Sequence, residues 1–302
     1  MIDITDCEQI ASDFEGSERK FAILYNGEPY MVKEPDPVRD KNNLLSYMNN
    51  TFSEHIGCKI FEMLDIPIQE TFLAEYTRYD GKKEIVVVCK DFRTSGEQLY
   101  EADKFAKSLI ESNRATKPDF TEIEKIFRKV EDKLLDDEDV EQRFWDVFVV
   151  DALIGNKDRH LGNWGFLSKD KIHLYLAPVY DCGSSLGALV EDNRIEECLE
   201  KEGVMSSCEC NISLRFKINK KDCTYRDVLF NPPDKLKKSM RSIIPSIDIV
   251  EINNLVDSVE GLSKNRKEFI KKSVLMRYEN ILKISLNKLR KTEKKLNIGR
   301  SR

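Results

Sequence analysis

The sequence predicts a two-lobed α+β fold, a small β-rich N-terminal lobe carrying one helix followed by a larger helical lobe. Short apolar runs separated by turn signals occupy most of the chain before residue 95. A single stretch of helical period interrupts them, and after Ser95-Gly96 the apolar spacing becomes mostly helical. The N-lobe is therefore expected over residues 1–95 and the C-lobe over 96–302.

In the first lobe, residues 20–25 and 29–33 flank Asn26-Gly27, a dipeptide suited to the left-handed corner of a β-hairpin. Residues 44–64 switch to helical period. Phe52, Ile56, Ile60, Met63 and Leu64 form one stripe, and Pro67 lies just beyond its end. Residues 71–79 and 84–88 are again strand-like around Asp80-Gly81.

The second lobe begins with a helical pattern over residues 120–135, and the acidic run 136–139 suits the first turn of the next helix. That helix, residues 140–153, carries Phe144, Trp145, Phe148, Val149 and Ala152 and stops at Gly155-Asn156. Two short apolar runs follow, 164–167 and 172–176, separated by a polar turn. Residues 186–230 form a charge-mixed segment without a readable motif. From Pro232 the pattern is helical, with Tyr278, Ile281, Leu282 and Leu289 on one face of the last helix. The basic tail, residues 288–302, reads as a solvated, fraying end.

Composition narrows the class. A hydrophobic fraction of 40% and a charged fraction of 34% describe a globular chain with room for two buried cores. The net charge of −5 argues against broad affinity for nucleic acid, and the tail lacks the interleaved aromatics that stack on bases. No apolar run approaches the roughly 20 residues of a membrane helix, and the acidic N-terminus lacks the order of a secretory signal. Synthesis in the cytosol is expected, with no export route written in the sequence. The eight cysteines include no Cys-x-x-Cys pair, and three histidines are few for a zinc site, so reduced, mostly buried thiols are expected.

The chemistry concentrates in Gly155-Asn-Lys-Asp-Arg-His-Leu-Gly-Asn163 and Ala177-Pro-Val-Tyr-Asp181. Phosphoryl transfer from ATP requires a carboxylate by the acceptor hydroxyl, oxygen ligands for magnesium and a lysine on the phosphates. Asp158 and Asn163 stand five residues apart, the spacing of the catalytic-loop pair in kinases. Asp181 follows Asn163 by 18 positions, about the length of a hairpin that returns a carboxylate to the same cleft. Asp-x4-Asn or Tyr-Asp alone is a common accident. The order of apolar helix, polar loop and apolar hairpin is what gives them weight.

Lys33 ends a hairpin strand, and Glu54 lies on the following helix, two positions from both Phe52 and Ile56. It therefore points away from that apolar stripe. Either would ordinarily be a surface charge; together they suit a lysine–glutamate pair that orients phosphates. Glu15-Gly-Ser-Glu-Arg-Lys20 precedes the first hairpin strand and is the candidate phosphate loop, contributing Gly16, Ser17, Glu18 and Lys20. Its single glycine fits neither a Walker motif nor Gly-x-Gly-x-x-Gly. Val88, Cys89 and Lys90 lead out of the first lobe and are the candidate adenine hinge by position.

Asn156-Lys-Asp-Arg-His-x-x-Asn163 with Ala177-Pro-Val-Tyr-Asp181 resembles the catalytic core of the HipA-like serine/threonine kinases. Ser53-Glu54-His55 with Leu64-Asp-Ile-Pro67 is similar to that family's helix, and Gly16-Ser-Glu-Arg-Lys20 to its phosphate loop. The resemblance covers roughly residues 13–185 and implies a two-lobed protein-kinase-like fold. It implies Asp158 as catalytic base, Asn163 and Asp181 as magnesium ligands, and Lys33 on the phosphates with Glu54 its partner. It also implies autophosphorylation. Asp13 aligns with the family's phosphate-loop serine, with Ser12 and Ser17 as neighbours. The chain begins almost directly at that loop, as short members do, so no antitoxin partner is expected.

The expectation is an ATP- and Mg2+-dependent kinase acting on a Ser or Thr of a protein, itself included, with no nucleic-acid partner. Its rivals are a kinase of a small molecule or lipid head group, a nucleotidyl transferase and a catalytically silent binding module. Retention of Lys33, Glu54, Asp158, Asn163 and Asp181 argues against the last.

Overall fold

A computed structural model of the chain describes residues 1–11, 19–38, 47–106, 117–135 and 139–300. The candidate phosphate-loop residues Gly16, Ser17 and Glu18, with Ser12 and Asp13, lie outside the described residues.

Strands β1 (Ile2–Asp3), β2 (Gln9–Ile10), β3 (Lys20–Tyr25), β4 (Glu28–Lys33), β5 (Thr71–Thr77) and β6 (Lys83–Lys90) form one sheet ordered β1-β5-β6-β4-β3-β2. Helix α1 (Asn50–Met63) lies between β4 and β5 in sequence. Asn26 and Gly27 both take positive φ, 51° and 81°, so the β3–β4 corner is the tight turn their side chains favour. Its register sets Lys20 directly opposite Lys33.

Helix α1 begins at Asn50 and Tyr47 is bridged to Pro37, while residues 44–46 of the expected helix lie outside the described residues. One face of the sheet buries Ile4, Ile23, Tyr30, Val32, Ala74, Val86 and Val88 as a core of its own. Helix α1 belongs to the other, larger core. Its Ile56, Cys58, Ile60 and Phe61 join a cluster running through the helical part of the chain. A helix wedged between sheet and bundle is buried on several sides, which is why its polar Ser53 and Glu54 are buried as well.

The second part opens with β7 (Gln98–Glu101), a strand absent from the sequence reading, and α2 (Ala102–Ala106). Then come α3 (Phe120–Glu131), α4 (Val140–Ile154), β8 (Gly165–Ser168) and β9 (Tyr175–Leu176). The β7-β8-β9 sheet forms the hairpin expected between the two motifs. It is shorter than expected, since Ile172 is exposed and only Tyr175–Leu176 pairs.

Residues 186–230 are more ordered than their composition suggested. They hold α5 (Asp192–Glu200), α6 (Glu202–Glu209), the antiparallel pair β10 (Ser213–Ile218) and β11 (Lys221–Thr224), and α7 (Tyr225–Phe230). Helices α8 (Asp234–Ile243), α9 (Ile249–Ser258) and α10 (Lys264–Arg277) follow, then a π-helical turn, Tyr278–Lys283, into α11 (Ile284–Arg300). The basic tail is helical through Arg300 rather than frayed. Leu289 is buried, Lys288 donates to the Phe230 carbonyl, and Arg241 pairs with Glu293. Among the described side chains no disulfide joins the cysteines, and five of them are buried.

The core beneath the second lobe is aromatic. Trp145 of α4 is fully buried against Phe120, Phe144 and Phe148, and Phe216 of β10 packs on Phe120, Phe144 and Phe148. Helix α4 ends at Gly155 in the left-handed region, φ 67°, where its Cβ position abuts the Arg277 guanidinium at 2.8 Å. That guanidinium is itself buried and donates to the Leu153 carbonyl at 2.7 Å and to Glu209 at 2.7 Å. Gly155→Ala should thus combine left-handed strain with displacement of a buried charge, and cost about 2–4 kcal/mol of unfolding free energy. Urea denaturation checks it; a loss under about 0.5 kcal/mol would show that the corner tolerates a side chain.

Candidate active site

The loop leaving α4 is tied from within. Asn156, buried, donates from Nδ2 to Asp151 at 2.9 Å, and its Oδ1 accepts the Asp158 N–H at 2.9 Å. Its carbonyl accepts the Tyr225 hydroxyl at 2.9 Å. Arg159 lies under the loop with Nε 2.8 Å and Nη2 3.2 Å from the two Asp151 oxygens. Its Nη1 donates to the Asn163 carbonyl at 2.8 Å and to the Tyr180 carbonyl. One guanidinium therefore joins the end of the first motif to the residue before Asp181. Burial works against its charge, yet Asp151 more than compensates and raises Arg159 well above the ordinary arginine range.

Those ties set out the predicted groups. The Asn163 side chain donates from Nδ2 to the Asp158 carbonyl at 2.8 Å, which leaves its amide oxygen as an acceptor. Asp158 is partly exposed, with Arg215 Nε 3.2 Å and His160 Nε2 3.9 Å from its carboxylate. Asp181 adopts φ 62°, a left-handed conformation rare outside glycine and typical of functional loops.

From the sheet side comes Lys33, 5% exposed, whose ammonium is 3.3 Å from Glu54 Oε2 and 3.5 Å from Asp181 Oδ1. Glu54 is 1% exposed, in line with its predicted orientation away from the apolar stripe. Gly183 makes room for this contact, since a Cβ there would lie 3.1 Å from Glu54 Oε2.

The two carboxylates are driven in opposite directions. Burial pushes the Asp158 carboxyl above its usual range, against the pull of His160 and Arg215. Burial also acts on Asp181, but Lys33 and Arg159 outweigh it and hold that carboxyl below the usual range.

Not every predicted residue joins the cluster. Lys20 sits across from Lys33 at the start of β3. Val88 and Cys89 lie inside β6, paired with β4 on one side and β5 on the other. The Lys90 N–H donates to the Glu70 carbonyl, and its own carbonyl accepts Gln69 Nε2 at 2.9 Å. Strand pairing thus engages the segment expected as adenine hinge. Asp91 N–H is likewise taken, by the Pro29 carbonyl. Phe92, stacked on Tyr180, is the first residue past the sheet whose backbone groups meet no partner among the described residues.

Sequence reading also missed Asp151 and Arg215. A buried aspartate in an apolar helix was a visible signal for the first. Arg215 had no signal beyond its place between Leu214 and Phe216.

Oxygen donors at Asn163 and Asp181, with a lysine beside them, suit a magnesium–nucleotide group, since magnesium prefers few protein oxygens plus phosphate and water. Among the described residues, the buried Glu54 Oε1 has no hydrogen-bond partner. No group of three or more His, Cys, Asp or Glu among the described residues forms a protein-only metal cage.

Residues 12–242 match the family model described as HipA-like C-terminal domain. The chain is 34% identical over 277 residues to the serine/threonine-protein kinase CtkA of Helicobacter pylori strain J99, covering 89% of this chain and 82% of that one. It superposes on the crystal structure of a Helicobacter pylori proinflammatory kinase CtkA with a TM-score of 0.83 and 29% identity, covering 95% of this chain and 96% of that one. A Shewanella oneidensis HipA, solved with HipB and operator DNA, matches with a TM-score of 0.53 and 14% identity. That match covers 94% of this chain and 68% of the other and speaks for the fold alone.

Lys33→Met should destabilise the protein by about 3–5 kcal/mol near neutral pH, because it strands the buried Glu54 carboxylate and the half-buried Asp181. The Asp181 carboxyl, now below its usual range, rises in the variant. The deficit should therefore narrow as pH falls through the carboxylate range, where the variant's Asp181 takes up its proton first. Urea denaturation at pH 7 and pH 4 measures both; a deficit independent of pH would disconnect Lys33 from Asp181.

Proposed function

The chain belongs to the HipA-like C-terminal domain family, and we propose that it is an ATP- and magnesium-dependent kinase phosphorylating Ser or Thr of proteins, itself included. The observation that carries this reading is the convergence of Lys33 on Glu54 and Asp181, 3.3 and 3.5 Å away. Asp158 and Asn163 stand on the loop that Arg159 ties to Asp181. The name of the Helicobacter pylori relative as a serine/threonine-protein kinase supports a hydroxyl acceptor.

In this reading Lys33 donates to the phosphate oxygens while Glu54 keeps its ammonium aimed across the cleft. Asp181 and the amide oxygen of Asn163 would hold magnesium. When bound, the metal neutralises phosphate charge and sets the phosphates' geometry. Asp158 positions the acceptor hydroxyl and takes its proton. Burial has made its carboxyl a better base than a free aspartate. Phe92, rather than residues 88–90, offers the backbone groups for adenine.

Incubation with magnesium and γ-labelled ATP should label a serine or threonine of the chain. Asp158→Ala should lower the rate about 10²–10⁴-fold and leave ATP affinity nearly unchanged. Mass spectrometry locates the label, and α-labelled ATP should give none. Equal labelling by Asp158→Ala, or label from the α-phosphate, would overturn the reading.

A further inference from the structure

Phosphoryl transfer builds negative charge on the oxygens of the moving group, and stabilising it calls for cations beyond a bound metal. Most cations near the candidate site are already spent. Lys33 is buried between Glu54 and Asp181, and Arg159 is engaged by Asp151 and two backbone carbonyls. Lys157 turns toward Glu209, 3.8 Å away. His160, whose Nδ1 accepts the Gly162 N–H, is a cation only when protonated.

Arg215 differs from all of these. It is 46% exposed, and its Nε lies 3.2 Å from Asp158 Oδ1. No hydrogen bond from its guanidinium is found among the described residues, and its ion-pair contact there is with Asp158. Its position is firm despite the exposure. Along β10 the exposed Ser213 and Arg215 alternate with the buried Leu214 and Phe216. Phe216 is locked among Phe120, Phe144 and Phe148, and the Lys217 N–H donates to the Pro118 carbonyl at 2.8 Å. A guanidinium on so anchored a strand is preorganised.

Resting on the kinase reading, we propose that Arg215 is a further catalytic residue, the arginine whose guanidinium contacts the transferring γ-phosphoryl group. The acceptor hydroxyl must sit within about 3 Å of the Asp158 carboxylate, with phosphorus in line beyond it. A fork that already touches that carboxylate is one side-chain swing from the phosphoryl oxygens. In the step, the acceptor oxygen–phosphorus bond forms as the bond to the ADP oxygen breaks. The acceptor proton goes to Asp158, and the leaving electron pair stays on ADP. Arg215 neutralises charge in passage and exchanges no proton.

The test compares wild type, Arg215→Ala, Arg215→Lys and Asp158→Ala. The probes are γ-labelled ATP with magnesium, and casein as acceptor alongside the chain itself. Arg215→Ala should lower kcat about 10²-fold, with KM for casein and ATP affinity within about threefold, and Arg215→Lys should recover only part of it. An unchanged kcat, a faster rate or an effect confined to the KM for casein would each overturn the assignment. Wild-type transfer with a dead Asp158→Ala and a normal Arg215→Ala sinks Arg215 alone; absence of wild-type transfer sinks the kinase reading itself.

Discussion

The candidate site depends on one buried ion pair. Asp151 and Arg159 meet at 2.8 Å beneath the loop, at 1% and 8% side-chain exposure. Such a pair repays its desolvation only when the remaining polar atoms are also engaged. Here they are: Asp151 also accepts from Asn156, while Arg159 donates to the carbonyls of Asn163 and Tyr180. Because those carbonyls belong to different segments, the pair determines the distance between the loop bearing Asp158 and the turn bearing Asp181. Arg159 stands inside the most recognisable motif of the sequence, yet its guanidinium is engaged by Asp151 and two backbone carbonyls. Its part is to hold the groups that do.

A second constraint comes from α1. The helix that carries Glu54 packs into the same core as α4, and Gly57 lets it approach so closely that a Cβ would lie 2.7 Å from Cys182 Cβ. Cys182 follows Asp181 directly, so the helix rests against the turn with the candidate metal ligand. The sheet delivers Lys33 from the opposite side. Glu54 and Asp181 are thereby held by one packed body, and the lysine is the group that arrives across the gap. A shift of α1 would move Glu54 and disturb the Asp181 turn together, which makes this contact a natural place for stability and activity to be coupled.

Legibility in the sequence followed how local each cause was. Asn26-Gly27, the Gly155 stop and the apolar stripe of α1 act over a few residues, and each appears where its chemistry requires. Asp158, Asn163 and Asp181 were readable because a loop and a hairpin of set length bring them together. Arg215 arrives from more than fifty positions downstream of Asp158, through a strand whose place is decided by aromatic packing on α3 and α4. No spacing rule records that. The pairing of the expected hinge was not legible for a related reason. Composition marks Val88–Lys90 as apolar strand leading outward, but only β4 and β5 pairing on both sides shows that its backbone is engaged.

Two aspartates of identical chemistry lie in one cleft, and the fold separates them. Lys33 and Arg159 hold the Asp181 carboxyl below its usual range, which suits a carboxylate meant to face a cation. Asp158 is buried enough to be raised, with its opposing cations, His160 and Arg215, half-exposed at the rim. A carboxylate shifted upward binds a proton more willingly, which suits the group beside an acceptor hydroxyl. Where two titratable groups are pushed apart by their surroundings, the direction of each shift argues for its role. Exchanging the roles would require an ammonium beside Asp158 and its removal from Asp181. The ion pairs that hold Lys33 against Glu54 and Asp181 do not allow it.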